Sequence, residues 1–343
     1  MDLMMREGLI VKGVGGAYTV MTNGVSPLFF AEKETVSGNG GRTLPAPFET
    51  SRGYANTSTV SNARLACFYV CTARGVFRNK KITPLVGDKV KILVADAEKQ
   101  IASIHEILPR KNELRRPPAA NIDQVIVTVS VAQPAFNAGF LDRLLVLIEH
   151  EKIPVIICVN KVDLGDESLF EPYKQAYEIV YTDALTGEGV DELLKKMSGK
   201  INLFAGASGV GKSSLVNKIL PDLNLETGPI SKKIGRGKHT TRHTELFCIN
   251  DGGLGGAEEV DSAGFIFDTS GFTSLEVDFL GKSALAPLFR EFRPFLGECK
   301  FKNCLHVKEI GCAVKDAVGV EIHPARYDGY VKLLEGLSGS LYL

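Results

Sequence analysis

The chain has 343 residues, of which 44% are hydrophobic and 23% charged, and its 40 basic residues balance its 40 acidic ones. This length predicts about two or three domains, and the composition excludes a disordered chain and a small disulfide scaffold. No apolar run is long enough to span a membrane, and the first residues do not form a secretory signal. The odd count of 7 cysteines is typical of a reducing compartment, so we expect a cytoplasmic protein.

The charge is unevenly distributed along the chain. Residues 1–118 contain 17 Lys and Arg against 10 Asp and Glu, and the remaining residues contain 23 against 30. This asymmetry is expected when one part of a chain faces a polyanion. A charged face that only interacts with solvent gives the same pattern, and the composition does not separate the two.

Short β-rich stretches separated by glycine and polar turns predict a small β-barrel in the first part of the chain. The stretches are residues 9–11, 17–21, 67–72, 90–94 and 101–107. Residues 26–64 are rich in Ser, Gly, Asn, Thr and Pro, so a long flexible insertion is expected there. We expect this first domain to cover residues 1–110, and the basic, proline-punctuated stretch 109–118 to be a linker.

The next part of the chain alternates buried strands with helices, which predicts a mostly parallel sheet covered on both faces. The strands are expected at 122–131, 155–159, 179–181, 202–205 and 265–267, and helices around 141–148, 190–197 and 214–219. From about residue 285, helical patterns surround a compact group of Cys and His residues and end with a helix over 325–337. We therefore expect an α/β domain over 111–284 and a small, mostly helical domain over 285–343.

A glycine-rich segment after one of the predicted strands satisfies the phosphate-loop pattern, with two glycines separated by four residues and followed by Lys and Ser. Because a strand precedes it and a helix follows, its backbone amides are expected to converge on phosphates. Lys212 would neutralise the β and γ oxygens, and the Ser213 hydroxyl would ligate Mg²⁺. The alternative is an ordinary glycine-rich turn. The predicted nucleotide-binding residues are Gly206, Ala207, Ser208, Gly209, Val210, Gly211, Lys212, Ser213 and Ser214.

A second loop carries the Asn-Lys-x-Asp pattern of guanine-specific nucleotide binding. Asp163 is predicted to accept hydrogen bonds from the N1 and N2 groups of guanine, Lys161 to lie along the base, and Asn160 to brace the loop. After the next strand, such proteins place a Ser-Ala pair that supports the base, and here Asp183 precedes Ala184. We predict that both contact the nucleotide site, with the alternative that Asp183 only caps the following turn. Together with the phosphate loop, this pattern favours GTP over ATP.

Two further segments are predicted to surround the γ-phosphate. Asp268 ends a strand and would hold Mg²⁺ through water, and the amide of Gly271 would sense the γ-phosphate. In the basic loop 235–244, either Thr240 or Thr241 is expected to reach Mg²⁺.

The order of these motifs along the chain is circularly permuted. In ordinary guanine-nucleotide switches the phosphate loop comes first, whereas here residues 160–163 precede residues 206–213 and the Asp268 segment comes last. The permutation places the γ-phosphate-sensing segment next to the C-terminal part, to which the nucleotide state could be relayed directly.

The C-terminal part contains a Cys-x4-Cys-x-His-x5-Cys pattern. Three thiolates and one imidazole at this spacing predict one closed, tetrahedral zinc site with a structural role. The alternative is a set of buried free thiols. The predicted metal ligands are Cys299, Cys304, His306 and Cys312.

With its permuted motifs, N-terminal barrel and Cys/His group, the chain resembles the ribosome small-subunit-dependent GTPase A family. Further shared motifs are Arg-Gly at 74–75, Val-Gly-Asp-Lys-Val at 86–90 and Arg-Arg-Pro-Pro-Ala-Ala-Asn-Ile-Asp at 115–123. The resemblance implies an α/β GTPase core, an oligonucleotide-binding (OB)-type barrel and a zinc domain. It also implies GTP hydrolysis in late maturation of the bacterial 30S subunit, with 16S rRNA as the surface contacted. The chain departs from the family at Asp183 (usually Ser), at Ser270 (usually Pro) and in the insertion 26–64.

The barrel and its linker carry a basic tract that we expect to contact rRNA phosphates, with a solvated face as the alternative. Its members are Arg74, Arg78, Lys80, Lys81, Lys89, Lys91, Arg110, Lys111, Arg115 and Arg116. Phe272 stands where such enzymes carry a water-orienting Gln, so we hypothesise that His239 or a group on the ribosome orients the water. We expect a monomeric GTPase stimulated by 30S subunits. The alternatives are an rRNA-assembly platform that binds GTP with negligible hydrolysis, and an ATP-using phosphate-loop kinase.

Overall fold

The computed structural model describes residues 4–23, 67–75, 77, 82–115, 117–223, 244–249, 264–268, 277 and 279–337. The expected insertion at 26–64 lies outside these ranges. Among the helices described, none is long and apolar enough to cross a membrane.

Five strands form a closed barrel at the N-terminal end of the chain. They are β1 (Met5–Val14), β2 (Ala17–Thr22), β3 (Cys67–Ala73), β4 (Lys89–Asp96) and β5 (Ile101–Ile107). Their order is β1-β2-β3-β5-β4, and β4 pairs back with β1. The β3–β5 pair is parallel and the other pairs are antiparallel. Alternate apolar side chains fill the interior, where Ile10, Ile92 and Ile104 are fully buried, so the predicted barrel is confirmed.

The segment predicted to be a linker contains a small hairpin. Strands β6 (Glu113–Arg115) and β7 (Pro118–Ala120) pair antiparallel and bury Leu114. Arg110 donates from Nε (2.7 Å) and Nη2 (2.8 Å) to the fully buried carboxylate of Asp88. The hairpin was not predicted, because three-residue strands are too short to show a period and because the sequence does not show that Arg110 pairs with a buried carboxylate.

The central unit is a mostly parallel sheet of six strands in the order β10-β9-β8-β11-β13-β12. The strands are β8 (Gln124–Ser130), β9 (Val155–Asn160), β10 (Glu178–Thr182), β11 (Ile201–Ala205), β12 (Thr244–Ile249) and β13 (Gly264–Asp268). Only the β12–β13 pair is antiparallel. Every residue of β8 and β9 is buried, because helices cover both faces. These helices are α1 (Ala138–His150), α2 (Glu171–Lys174), α3 (Val190–Met197) and α4 (Lys212–Ile219).

The barrel and the central sheet share backbone pairing. Strand β1 pairs antiparallel with β12, with Lys12 opposite Glu245 and Gly13 opposite Thr244. The Lys12 ammonium lies 2.9 Å from the Glu245 carboxylate. The two units therefore form one continuous sheet of 11 strands.

The C-terminal unit is mostly helical, as predicted, and packs on α1. Its helices are α5 (Lys282–Leu285), α6 (Ala313–Asp316) and α7 (Pro324–Gly336), with two 3-10 segments, Ala286–Leu288 and Arg290–Phe295. Its apolar core includes Val146 and Leu147 from α1, so this core extends across the interface between the C-terminal unit and α1.

Arginines of the C-terminal unit bind two carboxylates on α1. Arg326 is 2% exposed and forms ion pairs with Asp142 and Glu291. Glu149, seven residues after Asp142 on α1, accepts hydrogen bonds from Arg290 (2.5 Å) and Arg293 (2.6 Å). Helix α1 is therefore fixed to the C-terminal unit by buried or partly buried charges along one face.

Candidate nucleotide site and metal cluster

The phosphate loop forms the turn between β11 and α4. Gly206 has φ 141°, and a Cβ there would lie 2.1 Å from the Thr128 carbonyl oxygen. Gly211 has φ 97°, and a Cβ there would lie 2.1 Å from Asn160 Nδ2. Both positions require glycine, because the loop passes so close to two neighbouring strands.

Lys212 begins α4 and turns back over the loop. Its Nζ donates hydrogen bonds to the carbonyl oxygens of Gly206 (2.9 Å) and Ala207 (2.6 Å). Burial lowers the pKa of Lys212 below its usual value. The ammonium and the amide end of α4 thus face the same small region, in which Ser213 and Ser214 are half-buried.

Asn160, at the end of β9, joins the guanine-pattern loop to the phosphate loop. It is 1% exposed, and its Nδ2 donates to the Val210 carbonyl oxygen at 2.9 Å. Its Oδ1 accepts from the backbone N–H of Ala184 at 3.1 Å. One amide side chain therefore connects three loops that lie far apart in the chain.

Lys161 makes a second connection. It has φ 63°, and its Nζ donates to the Gly209 carbonyl oxygen at 2.9 Å and to the Gln133 carbonyl oxygen. Asp163 lies in the 3-10 turn Val162–Leu164 with an exposed side chain. The contribution of Gln133 could not be predicted from sequence, since a backbone carbonyl contact leaves no signal in residue type.

Asp183 caps the following turn, and its predicted contact with the nucleotide stays a prediction. It is 3% exposed and accepts hydrogen bonds from the backbone N–H groups of Leu185 (2.8 Å) and Thr186 (3.4 Å). Burial raises the pKa of this carboxyl, but the hydrogen bonds from Leu185 and Thr186 outweigh it and hold the pKa below its usual value. The charged carboxylate therefore orders the segment that contains Ala184.

The predicted residues around the γ-phosphate are not described. His239, Thr240, Thr241 and Gly271 lie outside the described ranges, as does Ser270, where the chain departs from the family. Of Asp268 only the backbone is described, at the end of β13 opposite Glu245. Their roles stay predictions.

A cleft of about 200 Å³ adjoins the phosphate loop, and the sequence did not predict it. It is lined by the end of β8, by residues 134–137, and by Phe140, Ala207 and Val210. The hydroxyl of Thr128 in its wall is buried without a hydrogen-bond partner.

The four predicted metal ligands come together in the C-terminal unit. Their ligand atoms all lie within 4.8 Å of one another. Cys299 Sγ is 3.9 Å from Cys312 Sγ and 3.5 Å from His306 Nδ1, and His306 Nδ1 is 3.4 Å from Cys312 Sγ. A tetrahedral ion with bonds of about 2.3 Å to sulfur separates its ligands by about 3.8 Å, so the cluster fits such an ion.

Among the described residues, three members of the basic tract on the barrel pair with carboxylates. Lys91 pairs with Glu106 (2.9 Å), and Lys111 with Asp123 (3.1 Å). Arg110 is bound by Asp88, as described above. Arg78, Lys80, Lys81 and Arg116 lie outside the described residues, whereas Arg74, Lys89 and Arg115 are exposed.

A phosphate loop and a guanine-pattern loop, joined by Asn160 and permuted in the chain, define a circularly permuted GTPase with an N-terminal OB-type barrel. The family model described as RsgA GTPase matches residues 107–278, and that of the RsgA N-terminal domain matches residues 59–101. The chain belongs to the RsgA GTPase family and is a GTP-hydrolysing enzyme.

Relatives match along most of the chain. It is 42% identical over 335 residues to the small ribosomal subunit biogenesis GTPase RsgA of Clostridium novyi (strain NT), covering 96% of each chain. The protein of the same name from Alkaliphilus metalliredigens (strain QYMF) is 43% identical over 274 residues, 78% of this chain and 89% of the relative.

Two solved structures share the fold. The crystal structure of YjeQ from Thermotoga maritima has a TM-score of 0.70 and 30% identity, covering 98% of this chain and 99% of that one. The structure of YloQ, described as a circularly permuted GTPase, has a TM-score of 0.68 and 32% identity, covering 97% and 95%.

Proposed function

We propose that this chain hydrolyses GTP to GDP and phosphate under stimulation by the 30S ribosomal subunit, and that it acts in late maturation of that subunit. The names of its relatives support the ribosomal part. One structural observation supports the nucleotide part: Asn160, in the guanine-pattern loop, donates to the Val210 carbonyl oxygen of the phosphate loop and accepts from the Ala184 N–H. A single ligand can therefore reach both the guanine-pattern loop and the phosphate loop. The partners are 30S subunits and 16S rRNA, which the barrel contacts. The protein acts as a monomer in the cytoplasm.

The site residues are proposed to bind the nucleotide as follows. Asp163 accepts hydrogen bonds from guanine. The Lys212 ammonium gives up its hydrogen bonds to two loop carbonyl oxygens and binds the β and γ oxygens of GTP instead. Ser213, together with Asp268 and either Thr240 or Thr241, would hold Mg²⁺, since hydroxyl and carboxylate oxygens are the ligands this ion prefers. When bound, Mg²⁺ neutralises charge on the phosphate oxygens.

In the hydrolytic step, water attacks the γ-phosphorus in line and GDP leaves, with Lys212 and the loop amides stabilising the charge that develops. We propose that His239, or a ribosomal group, orients this water. Ribosome-stimulated turnover that stays unchanged in a His239→Ala variant would exclude His239.

The cysteine and histidine cluster is proposed to hold one zinc ion with a structural role. Three thiolates and one imidazole fill all four positions of a tetrahedral ion and leave none for a reacting group.

The test is GTP turnover of the full chain with and without purified 30S subunits. We expect stimulation of at least about tenfold, and none in the Lys212→Ala variant. Tight GTP binding with no turnover in either condition would favour the assembly-platform alternative. Displacement of labelled GTP by ATP would instead favour the kinase.

A further inference from the structure

We propose that the cleft beside the phosphate loop is a second ligand site, which takes a planar aromatic molecule of about nine non-hydrogen atoms that carries one N–H or O–H group. Lys212, Ser213 and Asp163, which are proposed to bind GTP and Mg²⁺, are not part of its described wall. The inference goes beyond the proposed function and does not depend on it.

The cleft has the size of a small ring system. Its volume is about 200 Å³, and an apolar cavity of about 150 Å³ holds one benzene molecule. A molecule of two fused rings therefore fills the cleft, whereas a nucleotide with its ribose and phosphates is too large for it. Pro134 and Ala135 in the wall are exposed, so the ligand can enter from solvent.

Most of the wall is apolar and partly aromatic. Phe136 and Phe140 lie on the side of α1, and Val210 lies on the side of the phosphate loop. The ring of Phe136 packs edge-on against that of Phe170, with the ring centroids 4.6 Å apart, so this part of the wall is formed before a ligand arrives. Aromatic side chains favour a flat ring as their neighbour, and an apolar wall disfavours a charged ligand, which would lose its hydration.

One polar group of the wall is left for a ligand. Thr128 is fully buried, and its hydroxyl has no hydrogen-bond partner within the described ranges. By contrast, the Ser130 hydroxyl donates to the Ala132 carbonyl oxygen, and Asn137 Oδ1 accepts from the backbone N–H of Phe140 at 3.0 Å. A buried hydroxyl without a partner is unfavourable, and its oxygen can accept a hydrogen bond from an N–H or O–H group of the occupant.

The experiment titrates the full chain with indole and with benzofuran, which has the same shape but an oxygen in place of the N–H. The backbone amide chemical shifts of Phe136 and Phe140 in NMR spectra measure binding at the cleft. Thr128→Val keeps the shape of the side chain and removes the hydroxyl. Ala135→Trp places a large side chain at the exposed edge of the cleft, and Ala138→Trp, at an exposed position outside the described wall, is its matched control.

We expect the ratio of the benzofuran to the indole dissociation constant to be about 3- to 10-fold larger in the wild type than in Thr128→Val, because only the wild type offers the acceptor. Ala135→Trp should lose both probes, and Ala138→Trp should bind them as the wild type does.

Three results would overturn the proposal. They are an equal ratio in the wild type and Thr128→Val, undiminished binding to Ala135→Trp, and wild-type amides that do not shift with either probe at about millimolar concentration. The two Trp variants decide independently of Thr128→Val, since both replace exposed residues.

Discussion

Asn160 has more influence on the site than its size suggests, because the nitrogen and the oxygen of its side-chain amide each form a hydrogen bond to another loop. We predict that Asn160→Ala weakens binding of both GTP and GDP by about 10- to 100-fold, since it leaves the Val210 carbonyl and the Ala184 N–H without this partner. Titration with a fluorescent guanine nucleotide measures the change. Asn303→Ala, at an exposed position of the C-terminal unit, is the control, and equal affinities of the two variants would contradict the prediction.

Lys212 makes nucleotide binding dependent on pH. Burial lowers its pKa in the free protein, and phosphate oxygens raise it in the complex. Binding should therefore take up protons, and the affinity should fall as pH rises through the lowered pKa. Calorimetry in two buffers of different ionisation enthalpy, above about pH 8 where the phosphates are already ionised, measures the uptake. Identical heats in both buffers, or the same uptake in Lys212→Ala, would refute this.

At the residue scale, the sequence could predict groups whose side chains act directly. The positions of Lys212 and Asn160 and the grouping of the three cysteines and the histidine could be predicted, because those residue types at those spacings have few other uses. The dual use of Asn160 and the role of the Gln133 carbonyl were not predictable, since they depend on which backbone atoms the fold brings near. The γ-phosphate residues stay predictions.

Helix α1 connects the central sheet to the C-terminal unit through buried charge. We predict that Arg326→Met lowers the free energy of unfolding by about 3–5 kcal/mol, because Asp142 and Glu291 would stay buried without their cation. Urea unfolding measures this change. Arg143→Met, on an exposed position of the same helix, should cost less than about 0.5 kcal/mol.

The stability of the Arg326→Met variant should depend on pH, in a direction set by Asp142. Burial already raises the pKa of Asp142, and loss of Arg326 would raise it further. A carboxyl whose folded-state pKa is raised destabilises the fold above that pKa and stops doing so once protonated. The deficit of Arg326→Met should therefore be larger at pH 8 than at pH 5, and the reverse order would contradict this assignment.

Glu309 organises the loop that carries the metal ligands. Its carboxylate accepts from the N–H groups of Leu305 (2.9 Å), Val307 (3.0 Å) and Lys308 (3.0 Å), and the bond from Leu305 contributes most to lowering its pKa to about 2. We predict that Glu309→Ala weakens zinc affinity about 10- to 100-fold, measured by competition with a chelating dye. Glu321→Ala, also in the C-terminal unit but exposed, should retain wild-type affinity.

At the element scale, long periodic segments were predictable and short ones were not. The helix predicted over 190–197 is Val190–Met197, and the one over 325–337 is Pro324–Gly336, because a buried face repeats along each. The hairpin of β6 and β7 was missed, since its buried side chains are isolated. The domain limits at 110 and 284 stay predictions.

At the scale of the whole molecule, β1 belongs to the barrel and also extends the central sheet. We predict that Lys12→Glu lowers the protection of β12 amides against hydrogen exchange, because it replaces the ion pair with Glu245 by a repulsion of about 1 kcal/mol. Adding Glu245→Lys reverses the pair and should restore protection. A double variant as unprotected as Lys12→Glu would show that the pair does not hold the two units together.

The pairing of β1 with β12 could not be predicted from sequence, because residues so far apart leave no common local pattern. Strand β12 starts at Thr244, where the predicted Mg²⁺-reaching loop ends, and Thr244 lies opposite Gly13 of the barrel. The two residue pairs between β1 and β12 therefore connect the barrel directly to the backbone beside that loop. Coupling between the two sites must be reciprocal. If GTP in place of GDP raises the affinity of the barrel for a partner by some factor, the bound partner raises the preference of the nucleotide site for GTP by the same factor.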